Sequence, residues 1–181
     1  MNIIETPIKD LLIIEPDIFK DHRGYFIESY NENKFFDLGI TNHFVQDNES
    51  QSTFGVVRGL HYQIGEYAQA KLVRVVKGKV FDVAVDLRKN SPTFGKWYGI
   101  ELSEEQKNMF FIPKGFAHGF SVLSETAVFS YKCDQFYNKE SERGILFSDP
   151  KLKIDWKIPT NKAIISEKDK ILPLFEYADY F

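Results

Sequence analysis

The stretch Gly55-Val56-Val57-Arg58-Gly59-Leu60-His61-Tyr62-Gln63 is followed eight residues later by Lys71, at the head of Lys71-Leu72-Val73-Arg74-Val75-Val76. An arginine, a histidine and a lysine thus sit inside segments whose β-branched and apolar content reads as strand, so they are held on stiff backbone. An imidazole titrates near neutral pH, a guanidinium grips phosphate with a fork of donors, and an ammonium can face a developing oxyanion. Together they point to acid/base work on an anionic substrate. The plainer alternative makes His61 a hydrogen-bonded core histidine and leaves Arg58 and Lys71 on a solvated face.

Further along, Pro113-Lys114-Gly115-Phe116-Ala117-His118 has the Pro-x-Gly-x-x-His spacing of many cupin jelly rolls, in which the histidine points into the barrel. Metal-binding cupins add a His-x-His pair and a glutamate from an earlier strand. The one candidate for that pair here is His61-Tyr62-Gln63, with glutamine where the second imidazole belongs. The chain has four histidines, and His22 and His43 fall in turn-like positions, so no catalytic metal is expected. His118 has two interpretations, a structural barrel histidine and a ligand contact. Tyr131 shares a strand face with Phe129 and Cys133, where a tyrosine is ordinarily core with one partner for its hydroxyl. Tyr137 and Glu142 fall in a loop, and Ser166-Glu167-Lys168-Asp169 reads as a polar turn.

The elements that must position these groups are mostly strands. Residues 3–19 hold two short apolar runs broken by Pro7 and Pro16, which suits an edge strand or an arm better than a helix. Asp21-His22-Arg23-Gly24 reads as a turn, and Tyr25 to Tyr30 as a strand carrying one buried-looking carboxylate, Glu28. Asn33 to Leu38 is helical and ended by Gly39. Phe44 to Asn48 is extended and places Gln46 and Asn48 on one face. Leu72 to Leu87 reads as a β-hairpin about a Lys77-Gly78 turn, with Phe81, Val83, Val85 and Leu87 on one face and Asp82 and Asp86 on the other. Trp97–Leu102 and Ala127–Lys132 supply further strands, and Ser103 caps a single helical turn. Short strands punctuated by Gly and Pro about every ten residues predict an antiparallel sandwich or barrel. Seventeen phenylalanines are available to fill it. The polar stretch from about 149 to 181 is expected to wrap the outside as a tail.

Composition bounds the partners. With 181 residues, 43% of them hydrophobic and 27% charged, the chain fits one globular domain over 1–181. A net charge of −3, with lysine and arginine spread along the chain, argues against nucleic-acid binding. Leu11-Leu12-Ile13-Ile14 is far too short to span a bilayer. The single cysteine, Cys133, cannot form an internal disulfide, and no signal pattern opens the sequence, so a cytoplasmic home is expected. Cys133 itself reads as a buried packing residue.

These segments, in this order, resemble the dTDP-4-dehydrorhamnose 3,5-epimerase family of nucleotide-sugar enzymes. The matching stretches are residues 21–28, 46–48, 57–63, 69–73, 112–120, 131–132 and 166–169. Ile64-Gly65-Glu66 departs from the family, where prolines are common. The resemblance implies an all-β cupin jelly roll without cofactor, and a homodimer in which an amino-terminal strand or arm, about residues 1–19, joins the partner's sheet. It implies His61 as base, Asp169 as its orienting carboxylate and Tyr131 as acid. It also implies substrate contacts at Arg23, Glu28, Gln46, Asn48, Arg58, Lys71, His118, Glu142 and Lys168.

The chemistry so implied suits these residue types. A ketone at sugar C4 acidifies the protons at C3 and C5, both axial on one face in the D-xylo chair. One base can therefore serve both carbons, and one acid on the opposite face can return the proton with inversion. Lys71 supplies a cation for the enolate oxygen. Arg23, Arg58 and Lys168 suit the diphosphate, and Tyr137 is an aromatic able to stack on the base. The rival readings are an epimerase acting on one centre or another nucleotide sugar, a metal-dependent cupin enzyme, and a non-catalytic sugar-binding jelly roll. One geometric question stands open: in a regular strand Arg58 and His61, three apart, would face opposite sides, unless Gly59 hosts a bulge.

Overall fold

In the computed structural model, which describes residues 1–181 apart from the side chain of Thr160, two antiparallel sheets face each other. The first has six strands in the order β1 (Asn2–Glu5), β2 (Leu12–Glu15), β10 (Met109–Ile112), β7 (Lys71–Lys77), β12 (Thr126–Cys133) and β5 (Gln46–Thr53). The second has five, in the order β13 (Glu142–Gly144), β6 (Val57–Gln63), β11 (Phe116–Val122), β8 (Lys79–Asp86) and β9 (Trp97–Ser103). A two-stranded hairpin, β3 (Ile18–Asp21) with β4 (Gly24–Ile27), stands apart from both. Helix is confined to short pieces, chiefly α1 (Glu32–Asp37) and α2 (Glu167–Lys170). Strands that alternate between two facing sheets in this way form the cupin jelly roll. No helix is long and apolar enough to cross a membrane.

The period-two side-chain alternation of strands sorts the apolar residues into layers. Between the sheets lie Val73, Val75, Phe110 and Phe129 from the first and Val80, Ala84, Phe116 and Phe120 from the second. Phe120 and Phe129 stack across that gap with ring centroids 4.2 Å apart. Such pairs contribute about 0.5–1.5 kcal/mol beyond the area they bury. On the outer face of the five-stranded sheet, Phe81, Val83, Val85 and Leu87 pack under Leu152, Trp156 and Phe175 of the carboxyl-terminal segment. On the outer face of the six-stranded sheet, Leu72, Met109 and Phe111 pack against Phe35 of α1.

One expectation about strand pairing is corrected. Lys71–Lys77 and Lys79–Asp86 are strands joined at Gly78, yet they do not pair: β7 hydrogen-bonds to β10 and β12, and β8 to β9 and β11. Gly78 (φ +78°) turns the chain from one sheet to the other, packed so closely against Thr126 that a Cβ would not fit. A Lys-Gly turn has the same local chemistry in either connection. Within the chain, the amino-terminal segment forms the edge of the six-stranded sheet. β1 pairs with β2 of the same chain, and β2 with β10. What projects is the β3–β4 hairpin, whose Phe19 and Phe26 are 62% and 65% exposed. The strand expected over Tyr25–Tyr30 ends at Ile27, and Glu28 beyond it is partly exposed and paired with Lys34 at 2.7 Å.

Candidate active site

A cavity of about 460 Å³ opens between the sheets, and His61 and His118 share one wall of it. They sit directly opposite each other on β6 and β11. Asp169 reaches His61 from outside the sheet. The segment before α2 is tied to the start of β6 by Val57 N–H to the Ile164 carbonyl (3.0 Å) and Ile164 N–H to the Gly55 carbonyl (2.8 Å). Ser166 then caps α2 by accepting the Asp169 amide. This places Asp169 Oδ1 at 2.7 Å from His61 Nε2, with the carboxylate buried and the imidazole half-buried. Burial by itself would raise the Asp169 pKa, but the His61 contact, the Gly59 amide and Ser166 outweigh it and hold the carboxyl below its ordinary range. With Nε2 committed to Asp169, Nδ1 is the ring nitrogen that carries the lone pair.

Lys71 and Tyr131 line the same cavity from the six-stranded sheet. Lys71 opens β7 opposite Cys133, and Tyr131 on β12 lies opposite Val73. The Lys71 ammonium stands 5.9 Å from the centroid of the Tyr131 ring. Burial lowers the Lys71 pKa, opposed by Cys133, Asp82 and Glu142. Burial also raises the Tyr131 phenol, so it stays protonated at neutral pH and able to donate.

Arg58 and His61 both line the cavity, and the strand geometry explains how. On β6 three residue steps separate Arg58 from His61, while their partners Phe120 and His118 on β11 are two steps apart. The extra residue is a bulge, and it turns Arg58 to the side that His61 faces. Gly59 sits in it with φ +120°, against Gly119, where a Cβ would not fit. The Gly59–Leu60 peptide is cis. Arg58 Nε donates to Ser52 Oγ at 3.0 Å, which aims the guanidinium along the rim.

A second chamber of about 190 Å³ shares His61, Lys71 and Tyr131 with the first and adds Gln46, Asn48, Tyr137 and Glu142. Gln46 donates to Asn48 Oδ1 (3.0 Å) and accepts the Tyr137 amide (3.0 Å). Glu142 accepts from Lys168 Nζ (2.5 Å) and the Tyr137 hydroxyl (3.1 Å). These contacts lower the Glu142 pKa against its burial, while Glu142 in turn raises that of Lys168. Eleven of the expected residues thus line one continuous cleft, with Lys168 at its edge.

Arg23 and Glu28 do not join them. Arg23 caps the β3–β4 hairpin, bonded to Asp21 and largely exposed, and Glu28 pairs with Lys34. Gln63 is buried, and its amide donates to the Tyr67 and Phe136 carbonyls and accepts from Asn138 N–H at 2.7 Å. It ties two loops together, and both of its amide hydrogens are used in doing so. Among the described residues no three His, Cys, Asp or Glu side chains gather as a metal set. Cys133 is buried with its thiol pushed up to about 11, chiefly by that burial. One residue of the site escaped the sequence analysis: Asp82, wholly buried, with both carboxylate oxygens 3.0 Å from His118 Nε2. The alternation along β8 put Asp82 opposite Phe81 and Val83, but not whether that face was water or cavity.

A jelly roll with an imidazole–carboxylate pair on one wall and a lysine beside a tyrosine on the other is a cupin-fold enzyme of the acid/base kind. The dTDP-4-dehydrorhamnose 3,5-epimerase family model matches residues 5–177, and the chain belongs to that family. It is 56% identical over 182 residues to the dTDP-4-dehydrorhamnose 3,5-epimerase of Shigella flexneri, covering 100% of this chain and 99% of that one. The crystal structure of the Elizabethkingia anophelis enzyme of the same name superposes with a TM-score of 0.93 at 63% identity, over 97% of each chain. The dTDP-6-deoxy-D-glucose-3,5-epimerase of Legionella pneumophila, solved in complex with dTDP-4-keto-L-rhamnose, gives 0.94 at 53% identity, over 98% of this chain and 94% of that one.

Proposed function

We propose that the chain converts dTDP-4-dehydro-6-deoxy-D-glucose to dTDP-4-dehydro-L-rhamnose by inverting C3 and C5. The observation that carries this is the placement of His61 and Tyr131 on opposing sheets of one cavity. His61 Nδ1 removes the proton next to the C4 ketone, and Asp169 stabilises the imidazolium that results. The C4 oxygen becomes an enolate facing the Lys71 ammonium. Tyr131 then donates a proton to the opposite face, and repetition at the second carbon completes the double inversion. Arg58 and Lys168 serve the diphosphate, while Gln46, Asn48, Glu142 and Tyr137 hold the nucleotide and His118 the sugar. All of these roles use protein groups alone.

The test is to incubate the exhaustively chelated protein with that substrate in deuterated water. Two deuterons per sugar, at C3 and C5 of an L-rhamno product, are expected. A single deuteron would make it a one-centre epimerase, no uptake would overturn enolisation, and loss of turnover on chelation restored by a divalent metal would overturn the metal-free chemistry.

We infer also that the 1–181 unit is one domain that acts in the cytoplasm as a homodimer. The lone buried thiol and a nucleotide-sugar substrate support the location. The projecting β3–β4 hairpin supports the dimer: it exposes Phe19, Tyr25 and Phe26 beside Arg23, and it holds Arg23 away from its own cavity. A second copy that took up this hairpin would bury the aromatic face and receive the arginine at its cleft. Sedimentation equilibrium should give twice the 21.1 kDa chain mass, and a monomer would contradict the dimer.

A further inference from the structure

Asp82 lies on β8 behind His118 and takes no part in the chemistry above. It shares its strand face with Asp86, which is just as buried, and the two are handled in opposite ways. Asp86 accepts from Arg88 Nε and Nη2, Ser91 Oγ and Thr93 Oγ1 at distances between 2.6 and 2.9 Å. Against its burial these donors hold its pKa at about 2. Such a carboxylate is a structural knot. Asp82 meets one donor among the described residues, His118 Nε2, although a carboxylate has about four acceptor sites. Around it stand Val80, Ala84 and Phe120, and an aliphatic side chain would pack there without the cost of a buried charge.

The surrounding charges indicate what Asp82 offsets. Asp169 is matched by His61, and Glu142 by Lys168. Tyr131 and Cys133 have raised pKa values and stay neutral, and burial pushes the His118 imidazole towards its neutral form. Lys71 is therefore left as the cleft ammonium without a carboxylate of its own. His118, held 3.0 Å from Asp82, lines the same cavity as Lys71; burial is the largest influence on both Lys71 and Asp82, and each favours the other's charged form against it.

We propose that Asp82 is a positioning residue for the epimerisation, fixing His118 as the Nε2–H tautomer and supplying the buried negative charge that keeps Lys71 an ammonium ion beneath the enolate oxygen. This rests on the epimerase reading of the cleft. His61 on β6, His118 on β11, Tyr131 and Cys133 on β12 and Glu142 on β13 are the other titratable groups around Lys71, and Asp82 is the anion that one substitution can remove while keeping its shape.

Asp82→Asn retains an acceptor for His118 Nε2–H and deletes the charge. The alkaline limb of kcat should move down by about one pH unit or more. At about pH 9 kcat should fall roughly tenfold, recover towards the wild-type value near pH 6.5, and leave KM within about twofold. A loss of kcat that is uniform in pH, or an unmoved limb, would reduce Asp82 to a packing role and overturn the proposal. Should the variant fail to fold, the wild-type protein answers by itself. The ¹³Cε signal of Lys71, assigned by its absence in Lys71→Arg, should be that of an ammonium ion at neutral pH, and a neutral Lys71 there would overturn the proposal. That measurement needs no substrate, so it is separable from the epimerase reading, which fails if the wild-type protein takes up no deuterium into the sugar.

Discussion

Asp169→Asn should lower kcat by roughly two to four orders of magnitude while the affinity for dTDP alone changes less than about twofold. The carboxylate accepts the His61 Nε2 proton at 2.7 Å, which leaves Nδ1 free to take a proton from the sugar. An amide can present its NH2 to Nε2 instead. The ring then carries its proton on Nδ1, and the base is lost without any change of shape. The backbone of α2 should be indifferent, because its cap uses the Asp169 amide and the Ser166 hydroxyl. In the proposed function Arg58 and Lys168 serve the diphosphate, and neither is bonded to the Asp169 side chain. Steady-state kinetics with calorimetric binding of dTDP separate the two quantities. Equal losses in both would make Asp169 a support of the binding site or the fold.

Much of the fold was legible because its signals are local. Alternating apolar residues, Gly and Pro punctuation and abundant phenylalanine led to an all-β barrel, and the Pro-x-Gly-x-x-His spacing brought His118 to its wall. The Lys77-Gly78 turn was legible as a turn and misleading as a hairpin. Which strand β8 pairs with is decided by β9 and β11, which begin at Trp97 and Phe116, well beyond its end at Asp86. A better clue was available in Val80 to Leu87: two different apolar faces, each buried, belong to a central strand covered on both sides.

The site was legible in part, and for physical reasons. His61, Lys71 and Tyr131 stand out because polar groups on strands are unusual, whereas Asp169 sits in a turn of a kind most often solvated. Its partnership with His61 spans 108 positions and depends on the Ile164 bridge to β6, which no local pattern encodes. The Arg58–His61 question turned on a bulge at Gly59, foreseeable as an option because a strand glycine permits one. Asp82 was beyond reach of the alternation alone, since a carboxylate opposite an apolar face ordinarily meets water. Arg23 and Glu28 match substrate-contact positions by resemblance yet lie outside this chain's own cleft, which is what a site completed by a second copy would produce.

The central claim, that base and acid work from opposite walls, is tested most directly by Tyr131→Phe in deuterated water. The ring stays in the wall, tilted 49° to Phe129 with centroids 6.0 Å apart, and only the hydroxyl is removed. His61 can still take the proton and Lys71 can still hold the enolate, so hydrogen exchange should continue, with deuterium returned to the face it left. Inversion should fall by roughly two to four orders of magnitude, the usual loss on removing a general acid. His61→Ala, by contrast, should lose exchange and inversion together. Position-resolved proton and deuterium NMR of the recovered sugar reads both outcomes in one sample: deuterium at C3 and C5 with the D-xylo configuration retained is the expected result. Inversion by Tyr131→Phe at close to the wild-type rate would contradict the account and return the tyrosine to the core.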